Sequence, residues 1–350
     1  MRRARRGVVY ALTLALAGVA SGAAASTGDV VIASGLASPS GLAVGSDGSV
    51  YVSQLLPGAL LEVSAGTGTV VGQSPDPVTA VDVSGRGVVV FTTSGAGATG
   101  SLERLLPDGR TLRLADLGQF EAERNPDAVN SYGFQDLDPD CGAGIESSVA
   151  FPGGGAPYSG GVASTAAAVA VLPDGSRVVA DRGGNDLLLI ERGSPASTLA
   201  VLPPVPVVVT PAIAASHGLP GCAIGATYHL EPRPTDVETG PDGRLYVSSM
   251  PTGLSLGRGS IVVVDPETGA IEELADGFRG AIDLAVGDDG TVYVAEQFGG
   301  QISIANGDSP ITFRMVERPS AVEFVGDALH AAVGFSFGPP TGEIVTFFLR

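Results

Sequence analysis

One pattern of apolar and polar positions returns along the chain. Pro39 to Ser53 reads PSGLAVGSDGSVYVS, Arg233 to Ser248 reads RPTDVETGPDGRLYVS, and Gly280 to Ala295 reads GAIDLAVGDDGTVYVA. In each, a run with alternating apolar residues meets Asp-Gly (Asp47-Gly48, Asp242-Gly243, Asp289-Gly290), and a second alternating run follows. Alternation marks a strand with two unlike faces, and the glycine supplies the positive φ that a tight hairpin turn needs. Three weaker copies keep the frame: Thr79 to Thr92, turning at Arg86-Gly87; Ala167 to Asp181, turning at Asp174-Gly175; and Pro319 to Val333, one residue shorter, turning near Gly326-Asp327.

Each hairpin is followed by a third strand, predicted at Ala59–Val63, Ser101–Leu105, Leu187–Glu191, Ser260–Val264, Gln301–Ile304 and Gly342–Phe347. A turn such as Glu267-Thr268-Gly269 then leads to a fourth. Six repeats of four antiparallel strands, with no helical period between them, predict an all-β fold, a six-bladed β-propeller. The chain stops after the third strand of the sixth repeat, and Asp29–Gly35 is a spare strand ahead of the first. The spare strand is expected to close the last blade, with Val30, Val31 and Ile32 burying the seam. Uneven spacing of the turns marks insertions at about 117–164 and 203–232 within a single domain over 26–350. Long ordered loops of this kind are where function concentrates.

The N-terminus reads as a leader over 1–25. Arg2, Arg3, Arg5 and Arg6 precede an apolar run from Gly7 to Val19, and Ala23-Ala24-Ala25 offers a cleavage site before Ser26. This predicts a secreted protein without a membrane anchor. All 19 basic residues are arginine, and loss of the four leader arginines takes the formal charge from −18 to −22. Such a surface repels nucleic acid and anionic lipid. The expected partner is a small molecule or an extracellular protein, bound by a monomer. Cys141 and Cys222, one in each insertion, are expected to pair as a disulfide in an oxidising compartment.

Two further phrases are specific. ADLGQFEAERNPDA (Ala115 to Ala128) and VVADRGGNDLLLIERGSPASTLAVLPP (Val178 to Pro204) resemble the ScyD/ScyE family of exported bacterial propellers, as do RPTDVETGPDGRLYV and GFRGAIDLAVGDDGTVYVAEQ. The resemblance covers most of the mature chain and extends to NHL-type repeats through Pro-x-Gly-Leu-Ala. It implies a binding or scaffold protein with no assigned activity. Glu146-Ser147-Ser148 and Pro157-Tyr158 depart from the compact Asp-Ser-Asn-Pro-Tyr of the family.

A second resemblance is to gluconolactonase-type propellers, carried by Arg233-Pro234-Thr235-Asp236 and Pro241-Asp242-Gly243. It implies a metal-assisted hydrolase holding calcium or another divalent cation in its channel, although Thr235 stands where that family has Asn. Aligning the repeats gives six equivalent positions, Gly41, Ala80, Ala168, Asp236, Asp283 and Ala321. Asp236 and Asp283, with Arg233, are therefore the candidate ligand-binding residues at the channel mouth. The two carboxylates either hold a cation or accept hydrogen bonds from backbone amides at strand starts, and the second role is favoured. Asp181 and Glu296 end second strands and are expected to bond across turns. Gly184-Asn185-Asp186 reads as a turn, and Asp136-Leu137-Asp138-Pro139-Asp140 lacks the glycine and glutamate of an EF-hand. Of the histidines, His330 replaces the tyrosine of the V-Y-V strand, and His217 and His229 flank Cys222. No nucleophile elbow or phosphate loop is present.

Overall fold

A computed structural model describes residues 28–349 except 57, 98, 149, 252–256 and 308. The leader expected over 1–25 lies outside these residues. The fold is all-β, with seven four-stranded antiparallel sheets. Six of them follow the repeats. The first runs through Pro39–Val44, Val50–Gln54, Ala59–Ser64 and Thr67–Gln73 in chain order. Four more begin at Val78, Ala166, Pro234 and Ala281. The sixth consists of Ala321–Val325, Ala328–Val333 and Gly342–Phe348, with Val30–Leu36 along its outer edge. First strands stand beside first strands around the molecule, and that of the sixth sheet adjoins that of the first. Apolar side chains fill the spaces between sheets. One cluster joins Ala80, Ala168, Val178, Leu187, Val237 and Leu245 from three of them.

The turn chemistry read from the sequence explains the hairpins. Asp47 Oδ1 accepts the Ser49 N–H at 3.0 Å, and Gly48 takes φ 82°. Asp174, Asp242 and Asp289 make the equivalent bonds to Ser176, Arg244 and Thr291. At the Arg86-Gly87 turn the Ser84 hydroxyl substitutes, accepting from Val88 N–H at 3.0 Å.

The spare strand pairs antiparallel with the C-terminal one, Val30 opposite Thr346 and Leu36 opposite Gly342. Its burial differs from expectation. Val30 and Val31 are 46% and 54% exposed, Ile32 is half-buried, and the side chains that close the seam are Ala33 and Leu36. The strand is outermost, so its early residues overhang. Its later ones pack with Leu42, Val52, Leu61, Ala332 and Ile344.

The insertions also differ from the loops expected of them. They build the seventh sheet, ordered Pro157–Ser159, Ser131–Phe134, Thr227–Leu230, Val205–Val208. Each insertion supplies two strands, and the central pairing, Gly133 opposite His229, joins one to the other. Strands of three or four residues are too short to show alternation, which is why the sequence pattern hides them. Phe134, Phe151 and Tyr228 form the centre of a separate core, with ring centroids 4.9 Å apart for Phe134–Tyr228. Helix Leu117–Arg124 begins at Asp116, whose carboxylate accepts the Gln119 N–H, and Pro211–His217 begins at Thr210, which accepts from Ile213. Cys141 and Cys222 are bonded, their Cα atoms 6.0 Å apart, across the two insertions.

Two outcomes follow. Leu36→Ala should lower unfolding free energy by about 2–4 kcal/mol, whereas Val31→Ala should change it by less than about 0.5 kcal/mol. Denaturant titration distinguishes the two, and equal losses would assign the seam to the wrong residues. Reduction of the disulfide should speed amide hydrogen exchange in 131–134 and 227–230 while leaving 178–181 protected. Loss of protection in all three together would mean that the seventh sheet is not a separate cooperative layer.

Candidate functional site

The innermost strands carry acidic side chains at two levels. At the first level Asp236 and Asp283 occupy two of the six equivalent positions. Two residues further along the same strands stand Ala43, Asp82, Ala170, Glu238, Ala285 and Glu323. Acids and alanines alternate around this second level, an arrangement missed by aligning one position alone. Stepping two residues along each strand recovers it. Glu238 feels the charges of Glu323, Asp236, Asp82 and Asp283, and Glu323 those of Asp82 and Asp236. Asp82, Glu238 and Glu323 come from non-adjacent sheets, so they approach one another across the centre.

Several of these groups tie one sheet to the next. Asp236 Oδ2 accepts the Leu284 N–H at 2.9 Å, and Asp283 Oδ1 accepts the Val322 N–H at 2.7 Å. Asp82 Oδ2 accepts the Val171 N–H at 2.6 Å. Hydroxyls beside the first level bond with opposite polarity. Ser40 donates to Val78 O at 3.0 Å, Thr79 to Ala166 O at 2.6 Å, and Thr235 to Ala281 O at 2.7 Å. Thr235 is thus an intersheet tie.

Enclosure sets the titration of the channel. Burial pushes Asp236 up to about 7 and raises Asp82. Burial, reinforced by neighbouring carboxylates, puts Glu238, Asp283 and Glu323 well above the usual range. Asp82, Glu238, Asp283 and Glu323 retain some surface exposure, but protein surrounds them, and both enclosure and mutual repulsion act upward.

Arg233 faces elsewhere. Its N–H donates to Asn185 Oδ1, its guanidinium lies 3.4 Å from Glu231, and it makes no ion pair with Asp236 or Asp283. The remaining sequence candidates have structural partners. Asp181 accepts from Ser164, Thr165, Gly183 and Gly184, and Glu296 from Arg279, Gln301 and Ser303. Asp136 bridges the insertions through Thr227, and Asp138 caps the short helix containing Cys141. His217 packs on Phe151, His229 meets Ser131 O, and His330 pairs with Thr346, burial lowering its pKa. Among the described residues, no three His, Cys, Asp or Glu side chains stand at metal-holding spacing.

At the opposite end from the insertions, where the hairpin turns lie, a cavity of about 840 Å³ opens between the second and third sheets and reaches Thr239. Arg86, Arg104, Arg177 and Arg192 line it, together with the acids Asp174 and Glu191. None of the four makes an ion pair among the described residues, and the buried Nε atoms of Arg104 and Arg177 have no hydrogen-bond partner. Burial, with the nearby charges of Arg104 and Arg192, lowers the pKa of Arg177 against a smaller opposing pull from Asp174. These arginines are scattered in sequence and converge only through the fold.

With this architecture the chain falls among propeller-type folds. It is similar to a gluconolactonase from Xanthomonas campestris, with TM-score 0.58 and 14% identity over 92% of this chain and 89% of that one. It is also similar to the PQQ-bound aldose sugar dehydrogenase from Streptomyces coelicolor, with TM-score 0.55 and 16% identity over 91% and 96%. For virginiamycin B lyase from Staphylococcus aureus the TM-score is 0.50, with 15% identity over 90% and 96%. At these identities the likeness is one of fold. No family model matches the chain, and no curated protein matches it.

The raised carboxyls fix the sign of the pH dependence. The folded protein keeps protons that the unfolded chain releases above about pH 4, so their contribution is present below that pH. It fades as pH rises toward the Asp236 value of about 7. Melting temperature, measured in EDTA, should therefore fall between about pH 5 and pH 8, and Glu238→Gln with Glu323→Gln should flatten the slope. A melting temperature that climbs across this interval would contradict the assignment.

Proposed function

We propose that this chain is an exported, six-bladed, propeller-type binding protein of ScyD/ScyE kind, and that it holds a small polyanion without catalysis. The observation that carries the reading is the arginine-lined cavity. In a chain of net charge −18, four guanidinium groups converge against two acids, Asp174 and Glu191, and none of the four is held in an ion pair among the described residues. Arginine presents a rigid fork of donors suited to carboxylate, phosphate or sulfate groups. The cavity volume of about 840 Å³ lies within the range that encloses small ligands. Asp236 and Asp283 already accept backbone N–H groups from the neighbouring sheet, which favours a structural role for the channel. The Cys141–Cys222 bond is consistent with export to an oxidising compartment.

The fold likeness to gluconolactonases supports a second reading, a divalent-metal-assisted hydrolase with Asp236 and Asp283 as its candidate oxygen ligands. Calorimetric titration with pyrophosphate, citrate and a sugar phosphate, against a neutral sugar, separates the two. The binding reading expects saturable binding of a polyanion, weakened at least ~10-fold by Arg177→Gln or Arg104→Gln. Failure of every anion to bind, together with metal-dependent lactone hydrolysis that Asp236→Asn abolishes, would replace it with the second.

A further inference from the structure

Where the insertions meet the third sheet, four carboxylates are enclosed. Glu121 comes from helix Leu117–Arg124, Asp127 from the turn after it, Asp181 from the end of Arg177–Asp181, and Asp186 from the start of Asp186–Ile190. Each is at most 1% exposed. The four donors named above engage Asp181. The other three have oxygens left over: both of Glu121, both of Asp186 and Oδ1 of Asp127 make no hydrogen bond, and neither does the buried Oδ1 of Asn125. These six are every buried carboxylate or amide oxygen without a hydrogen bond among the described residues.

Their orientation is set by the bonds their neighbours make. Asp127 Oδ2 accepts from Asn185 Nδ2 at 2.8 Å and from the Tyr132 hydroxyl at 3.3 Å, leaving Oδ1 free. Asn125 Nδ2 donates to Gly160 O at 3.1 Å, leaving its own oxygen free. Glu121 and Asp186 flank Gly184. A Cβ on that glycine would sit 3.1 Å from Glu121 Oε2 and 3.2 Å from Asp186 Oδ1, so glycine keeps the space between them open. Burial pushes Glu121 up to about 7, with Asp181 and Asp127 adding to it against a smaller pull from the Ala163 N–H, which lies near but outside hydrogen-bond geometry. Burial and the same acids raise Asp186 well above its usual range. Arg182 adjoins Asp181 and also faces Arg233, and Glu231 adds negative charge beside Asp127.

We propose that this enclosure binds a divalent cation of calcium type through Glu121, Asp127 and Asp186, with the Asn125 amide oxygen in the shell, and that the ion pins the insertions to the third sheet. A hard cation takes six to eight oxygen ligands at about 2.3–2.6 Å. An all-oxygen set without histidine or thiolate selects calcium over zinc or copper. The carboxylates are not already drawn to that spacing, and side-chain rotation into the space beside Gly184 closes the shell. This site is separate from the channel and from the arginine cavity, and its reading is independent of the proposed ligand.

Thermal melting of the intact, disulfide-bonded protein at about pH 7.5 tests it. About 1 mM calcium, compared with EDTA, should raise the melting temperature saturably by about 2–6 °C. Glu121→Gln and Asp186→Asn, both close in shape to the native residues, should each remove most of that rise, and Asp236→Asn in the channel should keep it. Identical wild-type melts with and without calcium would overturn the proposal, pointing to a cluster satisfied by protons. A calcium rise that survives both cluster variants, or that Asp236→Asn alone removes, would overturn it equally.

Discussion

The inner edge of each sheet has no strand to pair with, and its backbone groups must be satisfied by something else. Here the neighbouring sheet does it with side chains. Carboxylates of Asp82, Asp236 and Asp283 take N–H groups from Val171, Leu284 and Val322, while hydroxyls of Ser40, Thr79 and Thr235 reach the carbonyls of Val78, Ala166 and Ala281. Each such bond contributes about 0.5–1.5 kcal/mol, those to an acid rising from this value when it is protonated to about 1.5–3 kcal/mol where it is ionised. Several such ties around the centre lock each sheet to the next, in addition to the apolar clusters packed between them.

This constraint separates two kinds of charge. Acidic groups at the centre hold backbone, and enclosure favours their protonated forms. Arginines at the turn end, by contrast, border a cavity in which they outnumber the acids Asp174 and Glu191 and make no ion pair among the described residues. The insertions occupy the other end, where they form a layer with its own core, its own disulfide and its own buried oxygens. The intersheet ties, the arginine-lined cavity and the accessory layer thus use different side chains, although all three rest on the same hairpin repeat.

The repeat made the hairpins and third strands readable from sequence, because Asp-Gly turns and alternating faces act locally. Ser101–Leu105 and Gln301–Ile304 occur at the predicted residues. What acts between sheets was less legible. Asp236 and Asp283 were visible as aligned positions, yet the alternation of Asp82, Glu238 and Glu323 required reading a second position in register. Arg86, Arg104, Arg177 and Arg192 share no motif, and only the packing of two sheets brings them together. The spare strand paired at its expected edge, but its valines were apolar without being buried, since an outermost strand covers one neighbour only.

The central claim is that the channel carboxylates are engaged by neighbouring backbone. Site-resolved amide hydrogen exchange at Leu284 tests it most directly. In the wild type this N–H, at an unpaired strand edge, should be strongly protected, and Asp236→Ala should make it exchange rapidly while the Leu245–Ser249 and Val292–Glu296 amides stay protected. Rapid exchange at Leu284 in the wild type, unchanged by the substitution, would show that Asp236 is free for another partner and would contradict the account.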